Sequence, residues 1–306
     1  MERPVAHENE MTATIDAALA RQLVGAQFPR WADLPVSQLT ADGWDNRSFR
    51  LGQEMVVRLP SAAAYASQVD KEQYWLPRLA PFLPLEIPLP IALGNPGSGY
   101  PWRWSIYRWV DGETIKPGSA STSSSLARAI AEFLVSLQKI DPATGPLPGP
   151  HNFFRGGPLI TYDAEARAAI RLANQRIDAP AAMSAWLSAT STTWENPPLW
   201  IHGDIAAGNL LTRRGNLSAV IDFGNLGVGD PACDLAIAWT LFEGDARKAF
   251  RASLPLDRGT WARARGWALW KALIIAARLS TTNAIEFADP WRIIAQILSE
   301  GESIDT

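Results

Sequence analysis

Two short stretches decide how this sequence is interpreted: residues 200–211 read WIHGDIAAGNLL, and residues 220–224 read VIDFG. Apolar, strand-forming residues lead into each stretch, and a polar turn at residues 213–216 lies between them. The first stretch carries Asp204 and Asn209, and the second carries Asp222. Aspartate and asparagine beside glycine also form ordinary turns, but two such motifs in this order favour a functional site.

The two carboxylates and the amide fit the chemistry of phosphoryl transfer. That reaction requires an acceptor oxygen aligned with phosphorus and a divalent metal ion that neutralises phosphate charge. Asp222, at the end of a predicted strand, and Asn209 offer oxygen ligands for Mg²⁺. Asp204 is then available to hold an acceptor hydroxyl and to take its proton. Its five-residue spacing to Asn209 is that of a kinase catalytic loop.

The motif HGD(x4)N at residues 202–209, followed by IDFG at residues 221–224, resembles the catalytic core of the aminoglycoside phosphotransferase family, with its aminoglycoside, macrolide and choline kinases. The resemblance implies a protein-kinase-like fold in which Asp204 is the catalytic base, Asn209 and Asp222 bind Mg²⁺, and His202 is structural. It also implies ATP or GTP as co-substrate and a small hydroxyl compound as acceptor.

The resemblance continues through residues 229–236, which read GDPACDLA and are similar to the turn and helix start that follow the metal-binding aspartate. Asp234 lies in the first turn of that predicted helix, where the helix dipole and free backbone N–H groups favour a carboxylate. We therefore interpret Asp234 as structural.

A cation and a glutamate are expected on the nucleotide side. The resemblance places Arg58, on the third predicted strand, where the family has a lysine, and pairs it with Glu72 from the following helix. Arginine keeps its charge at any working pH and can fork onto phosphate oxygens, so this replacement is compatible with phosphate binding. An exposed arginine at a strand end is the alternative.

Two further segments fall where the resemblance expects nucleotide contacts. Residues 43–46, which end at Asn46, would cover the phosphates, although a plain hairpin turn explains them equally well. Residues 105–112 would contact the purine edge through the backbone around Arg108 and Val110. Backbone contacts of this kind leave the choice between ATP and GTP open.

The acceptor side is less sharply defined. From residue 115 to residue 306 there are 18 Lys plus Arg and 18 Asp plus Glu, a balance that does not favour a polycationic aminoglycoside. Glu243 and Asp245 are the best acidic candidates, with solvated charges at a helix end as the alternative. Arg155 lies in a long loop of the kind that often carries function, with a simple surface turn as the alternative. Most tryptophans of this half, including Trp267 and Trp270, fit a core, although a few of them could contact a bulky acceptor such as a macrolide.

Composition narrows the class of protein. The 306 residues are 47% hydrophobic and 19% charged, and 28 basic against 31 acidic side chains give no reason to expect a nucleic-acid partner. One cysteine, no signal-type N-terminus and no apolar run long enough for a bilayer predict a cytoplasmic protein without a membrane segment. The oligomeric state stays open.

The pattern of elements predicts an α+β, bilobal protein: residues 1–112 as a nucleotide-binding lobe with a small antiparallel sheet, and residues 113–306 as a mainly helical catalytic and acceptor-binding lobe. Strands are expected at residues 36–40, 47–51, 55–59 and 102–110, and a helix at 62–79 that Pro77 bends or ends. Further strands are expected at residues 199–201 and 219–223.

Two other classes compete with a small-molecule kinase. A nucleotide-binding pseudokinase acting as an interaction module would typically lack a base or metal residue, and here only the arginine at position 58 argues for it. A metal-dependent phosphate-ester hydrolase would need further His/Asp clusters, whereas the chain has three histidines.

Overall fold

The chain divides into two units in a computed structural model that describes residues 14–39, 45–115, 123–280 and 289–300. Unit 1 comprises Met1–Pro81 with Glu86–Asp111, and unit 2 comprises Phe82–Leu85 with Gly112–Thr306. Among the helices of the described ranges, none is both long enough and apolar enough to cross a bilayer. Gly43 and Trp44 of the predicted phosphate loop lie outside these ranges.

Unit 1 is built on one antiparallel sheet. Its elements are α1 (Ala17–Gln27), β1 (Val36–Gln38), β2 (Asn46–Leu51), β3 (Met55–Pro60), α2 (Ala63–Leu79), β4 (Pro90–Gly94) and β5 (Trp104–Arg108). The strand order is β1-β2-β3-β5-β4. Side chains two residues apart on a strand share a face of the sheet. Three such pairs and two residues of α1 form the core of unit 1: Phe49 and Leu51, Val57 and Leu59, Trp104 and Ile106, with Leu19 and Leu23. The predicted meander of the first three strands is confirmed.

The helix predicted at residues 62–79 is observed as α2, and the proline-rich passage after it contains a strand that was not predicted. The proline-rich passage after residue 80 contains β4, which was expected only as an extended segment. Because β4 is an edge strand, its proline costs no hydrogen bond that a central strand would need. Pro77 does not end α2, which continues to Leu79, since a proline this close to the helix end removes one backbone hydrogen bond from the last turn.

Unit 2 is mainly helical, as predicted. Its helices are α3 (Ser124–Gln138), α4 (Asp163–Ala173), α5 (Ala179–Thr190), α6 (Ile237–Thr240), α7 (Gly244–Ala252), α8 (Arg258–Ala276) and α9 (Pro290–Ser299). Side chains that accept a backbone N–H begin several of them, including Ser123 before α3 and Asp257 before α8. The 19-residue α8 is apolar on nearly all sides and is buried accordingly.

Short strands in unit 2 position the two sequence motifs. They are β6 (Glu113–Thr114), β7 (Leu199–Ile201), β8 (Leu210–Arg213), β9 (Asn216–Val220) and β10 (Gly227–Gly229), arranged as β6-β8-β9 and β10-β7. The predicted strand at residues 219–223 ends earlier, at Val220, and its hairpin partner is β8, which was not predicted. A four-residue strand carries little pattern of its own, so only its pairing with β9 reveals it.

Candidate active site

The β8–β9 hairpin brings Asn209 and Asp222 together at its open end. The backbone N–H of Ile221 donates to the carbonyl oxygen of Asn209 at 2.9 Å, which places the two motifs side by side. The Asn209 side-chain nitrogen donates to the backbone oxygen of Asp204 at 2.9 Å. Because this nitrogen is committed to Asp204, the amide oxygen of Asn209 is the atom that could bind a cation.

Asp222 has a left-handed backbone, with φ 65° and ψ 68°. Only glycine, asparagine and aspartate adopt this conformation at modest cost. Such backbone strain in residues other than glycine is concentrated at functional sites, where the surrounding structure holds it in place. The conformation turns the chain immediately after β9 into the short helix Phe223–Asn225, so that Asp222 stands at the corner.

His202 links the two motifs through hydrogen bonds of both its ring nitrogens. Its Nε2 bonds the backbone oxygen of Ile221 at 3.0 Å, and its Nδ1 lies 3.2 Å from the donating N–H of Asp204. One ring nitrogen therefore donates and the other accepts, which requires the neutral imidazole. Burial lowers the pKa of His202 and favours the same neutral form. The residue holds the loop in place rather than facing a substrate.

Asp234 fixes the backbone of the same loop. Its carboxyl oxygens accept the N–H groups of His202 at 2.7 Å and of Gly203 at 2.8 Å. Burial raises the pKa of Asp234 to about 7, although these two hydrogen bonds favour the charged form. Gly203 has φ +85°, and a Cβ at that position would lie 2.3 Å from the backbone oxygen of Asn225, so glycine is required there.

Asp204 forms an ion pair that the sequence analysis did not anticipate. The Nζ of Lys271, on α8, lies 2.8 Å from Oδ1 of Asp204, and their side chains are 14% and 24% exposed. Burial alone would raise the pKa of the Asp204 carboxyl, but Lys271 and Arg155 outweigh it and hold that pKa below its usual range. A lone lysine in the apolar run 268–277 is the signal that could have identified this residue.

Arg155 is buried beside α8. Its guanidinium carbon lies 4.9 Å from the ring centroid of Trp267 and 5.2 Å from that of Trp270. Both tryptophans are almost fully buried, as predicted for a core role, and both also contact the ring of Tyr162. Arg155 thus belongs to the interior beside α8 and not to a surface turn.

The two acidic acceptor candidates lie in other ion pairs. Glu243 pairs with Arg292 at 2.5 Å, and Asp245 pairs with Lys248 at 3.1 Å on a fully solvated stretch of α7. Within the described part of the chain, neither forms a hydrogen bond or ion pair with Asp204. Glu243 and Asp245 therefore remain predictions without geometric support.

In unit 1, the predicted cation and glutamate are in contact. Arg58 on β3 lies 3.4 Å from Glu72 on α2, and the hydroxyl of Tyr107 on β5 donates to the other oxygen of Glu72. The guanidinium carbon of Arg58 also lies 5.7 Å from the Tyr107 ring. Burial raises the pKa of Tyr107, so its hydroxyl keeps the proton that it donates. Sequence reasoning did not identify Tyr107, because a tyrosine in a core strand carries no functional signal.

The other nucleotide candidates occupy defined positions in the sheet of unit 1. Asn46 begins β2, is buried and pairs with Pro60 in the sheet register. The N–H of Arg108 donates to the oxygen of Leu89 at 2.8 Å, so that donor is already used. Val110 follows the end of β5, and no described residue accepts its N–H.

Comparison with solved structures agrees with the predicted kinase-like fold. The GDP complex of wild-type aminoglycoside 2'-phosphotransferase-IIIa is similar with a TM-score of 0.67 and 18% identity, over 95% of this chain and 99% of that one. The ADP-bound aminoglycoside phosphotransferase APH(2'')-Ib has a TM-score of 0.60 and 17% identity over 95% and 99%. A macrolide 2'-phosphotransferase apoenzyme from Brachybacterium faecium has a TM-score of 0.58 and 18% identity over 93% and 97%.

Sequence comparisons give one further result. No curated protein matches this sequence. The model of the phosphotransferase enzyme family, abbreviated APH, matches residues 37–267, well over half of the chain and including both motifs. The chain therefore belongs to the phosphotransferase enzyme family.

Proposed function

We propose that this protein, a member of a family of small-molecule kinases, transfers the γ-phosphoryl group of ATP or GTP to a hydroxyl of a small acceptor. The reacting hydroxyl would lie next to Asp204. One observation supports the proposal: hydrogen bonds join Asn209 to the backbone of Asp204 and to Ile221, the residue before Asp222, so the two motifs lie side by side. In this assignment residues 1–112 contact the nucleotide, and residues 113–306 provide the catalytic groups and bind the acceptor.

Asp204 is the base in this reaction. Lys271 and Arg155 keep its carboxyl ionised at neutral pH, so it can accept a hydrogen bond from the acceptor hydroxyl. As the bond to phosphorus forms, the hydroxyl proton passes to the carboxylate. The side chain of Asn209 donates to the backbone oxygen of Asp204, and the backbone N–H of Asp204 donates to Nδ1 of His202. The carboxylate of Asp234 also holds this loop, because it accepts the N–H of His202. This rigid support is what positioning of an acceptor oxygen requires.

The oxygens of Asn209 and Asp222 suit Mg²⁺. A magnesium ion in a kinase takes one or two protein oxygens and completes its shell with substrate phosphates and water. The Asn209 amide is oriented by its bond to Asp204, and Asp222 follows Ile221, whose N–H donates to Asn209 at the same end of the hairpin. When bound there, Mg²⁺ would neutralise charge on the transferring phosphates.

In unit 1, Arg58 supplies the cation for nucleotide phosphates. Glu72, which accepts a hydrogen bond from the hydroxyl of Tyr107, orients the guanidinium of Arg58. The N–H of Val110 can contact a purine edge. Similar folds are known with GDP and with ADP, which supports a purine nucleotide and leaves the base open.

A screen with γ-labelled ATP and GTP tests the proposed reaction. Purified protein is incubated with Mg²⁺, each nucleotide and a panel of hydroxyl compounds that includes kanamycin and a macrolide. We expect label to appear in an acceptor with at least one nucleotide, and EDTA to abolish the transfer. The pseudokinase alternative would be supported if the protein binds nucleotide but neither transfers label to an acceptor nor hydrolyses the nucleotide.

Arg58→Ala should weaken nucleotide use, whereas Arg58→Lys should keep most of it. A charge-assisted hydrogen bond contributes about 1.5–3 kcal/mol, so the alanine variant should raise the KM for nucleotide roughly tenfold or more. Lysine keeps a cation within reach of Glu72 and of the phosphates. Steady-state kinetics with varied nucleotide measure the effect.

Arg103→Ala is the matched control for Arg58, because Arg103 forms an exposed ion pair with Asp70 at 2.7 Å in the same unit. Because exposed ion pairs contribute little to stability, Arg103→Ala should leave the KM for nucleotide close to the wild-type value. Wild-type kinetics for both Arg58 variants would place Arg58 outside the nucleotide site and would strengthen the pseudokinase alternative.

A further inference from the structure

Three buried N–H donors next to α8 have no acceptor within the described part of the chain. They are Nε and Nη1 of Arg155 and Nε1 of Trp267. Arg155 is only 7% exposed, and Trp267 only 1%. Buried polar groups in folded proteins are nearly always hydrogen-bonded, and a buried donor without a partner is destabilising. Three such donors in one place indicate that an acceptor-rich group binds there.

Other buried arginines of unit 2 show what Arg155 lacks. Arg263 is 2% exposed, and its Nε lies 2.6 Å from Oδ2 of Asp230. Arg247 is 8% exposed, and it pairs with the carboxylate of Glu300. Each of these guanidinium groups thus has a carboxylate from its own chain. Arg155 has no carboxylate partner among the described residues, although its exposed fraction lies between theirs.

The unfilled donors lie close to the proposed base. Arg155 contacts the rings of Trp267 and Trp270, and Lys271 follows Trp270 on α8. Trp267 and Lys271 are four residues apart, so they lie on the same face of the helix. Lys271 in turn contacts Asp204 at 2.8 Å, and its side chain is partly open to solvent. The charge of Arg155 also acts on the Asp204 carboxyl.

Two cations act on the carboxyl of Asp204. Lys271 forms an ion pair with it, and Arg155 also lowers its pKa, whereas Asp234 is committed to the N–H groups of His202 and Gly203. The carboxylate of Glu165 accepts the N–H of Trp270 at 3.1 Å. A cationic group of an acceptor would be repelled by Arg155 and Lys271, whereas an oxyanion would accept hydrogen bonds from the unfilled donors of Arg155 and Trp267.

We propose that the acceptor carries an oxyanion, a carboxylate or a phosphate monoester, close to the hydroxyl that reacts, and that Arg155, Lys271 and the Trp267 N–H bind it. The inference rests on the proposed function, because it requires the reacting hydroxyl to lie at Asp204. It excludes a polycationic aminoglycoside as the preferred acceptor. Arg155 then has its anionic partner only when the acceptor is bound.

Malonate, which carries two carboxylates and no hydroxyl, tests the site without requiring turnover. Thermal unfolding is measured in malonate and in sodium chloride of equal ionic strength. At saturating malonate we expect an increase in Tm of about 3 °C for the wild type. Arg155→Gln and Lys271→Gln should lose this increase, and Arg155→Lys should keep part of it. Because Arg155 is buried, the Lys271 variant keeps the test valid if Arg155→Gln does not fold.

Matched controls replace cations with no place in the proposed site. Arg171→Gln, at an exposed position of α4, and Lys248→Gln, at an exposed position of α7, should respond to malonate like the wild type. Equal responses of the wild type, Arg155→Gln and Lys271→Gln would overturn the proposal. The proposal would also be overturned if malonate no longer raised Tm in the presence of a non-hydrolysable ATP or GTP analogue. That result would show that malonate occupies a site for the phosphates of the nucleotide.

A second measurement separates acceptor chemistries. Hydroxycarboxylates and hydroxyalkyl phosphates are offered with labelled nucleotide, each acid beside its own carboxamide or neutral alcohol. We expect kcat/KM to favour the charged member by about tenfold or more, and Lys271→Gln to reduce that preference. Higher kcat/KM for kanamycin than for every anion would overturn the inference. Absence of transfer with an intact malonate response would instead contradict the proposed function and leave the oxyanion site standing.

Discussion

Asp204→Asn should lower turnover by roughly 10² or more while nucleotide affinity changes little, because general-base contributions are of that size. Asparagine keeps the size of the side chain and much of its hydrogen-bonding capacity, but it loses the charge and the basicity. Single-turnover kinetics measure the chemical step, and titration with a non-hydrolysable nucleotide measures binding. A wild-type rate of acceptor phosphorylation would place the chemistry elsewhere in the protein.

Two companion variants make the Asp204 result specific. Asp70→Asn removes an exposed aspartate that also pairs with a cation, Arg103, at 2.7 Å, and should leave turnover unchanged. Lys271→Met removes the cation that helps hold the pKa of Asp204 low. Since the base is active above its own pKa, that pKa rises in this variant and the acid limb of the pH–rate profile moves to higher pH. An unmoved acid limb would show that Asp204 does not govern it.

Asp222→Asn should abolish metal-dependent transfer, a loss of about 10³ or more, because a bound metal ion supplies several kcal/mol of charge stabilisation. The fold should survive, since asparagine tolerates the left-handed backbone of Asp222 as well as aspartate does. Initial rates over a range of Mg²⁺ concentrations measure the loss, and circular dichroism checks the fold.

Thermal shift supplies the control for Asp222. In the wild type, Mg²⁺ with nucleotide should raise Tm above the value with nucleotide alone, because a ligand that binds only the folded state stabilises it. Asp222→Asn should lose this increment and keep the increment from nucleotide. If the wild type gains nothing from Mg²⁺, the assignment of Asn209 and Asp222 as its ligands is wrong.

The amino-acid sequence by itself determined the family, the kinase-like fold and the local elements. Alternation of apolar residues predicted β2 and β3, and apolar spacing predicted α2, because these patterns depend on neighbours within a few residues. The residues of both motifs were also readable from the sequence, since their spacing is set by one loop and one hairpin. The antiparallel order of β1, β2 and β3 followed from short connecting turns.

Tertiary structure alone decided which side chains meet from distant parts of the chain. Lys271 contacts Asp204, 67 residues away in the sequence, and Arg155 contacts Trp267 and Trp270 on the same helix, because α8 packs beside the loop that carries Asp204. No local pattern encodes such contacts. Sequence reasoning favoured Glu243 on charge alone, but that residue is paired with Arg292. Which charged side chains surround Asp204, and which of them are paired with one another, depends on how the helices pack. The sequence alone does not give that packing.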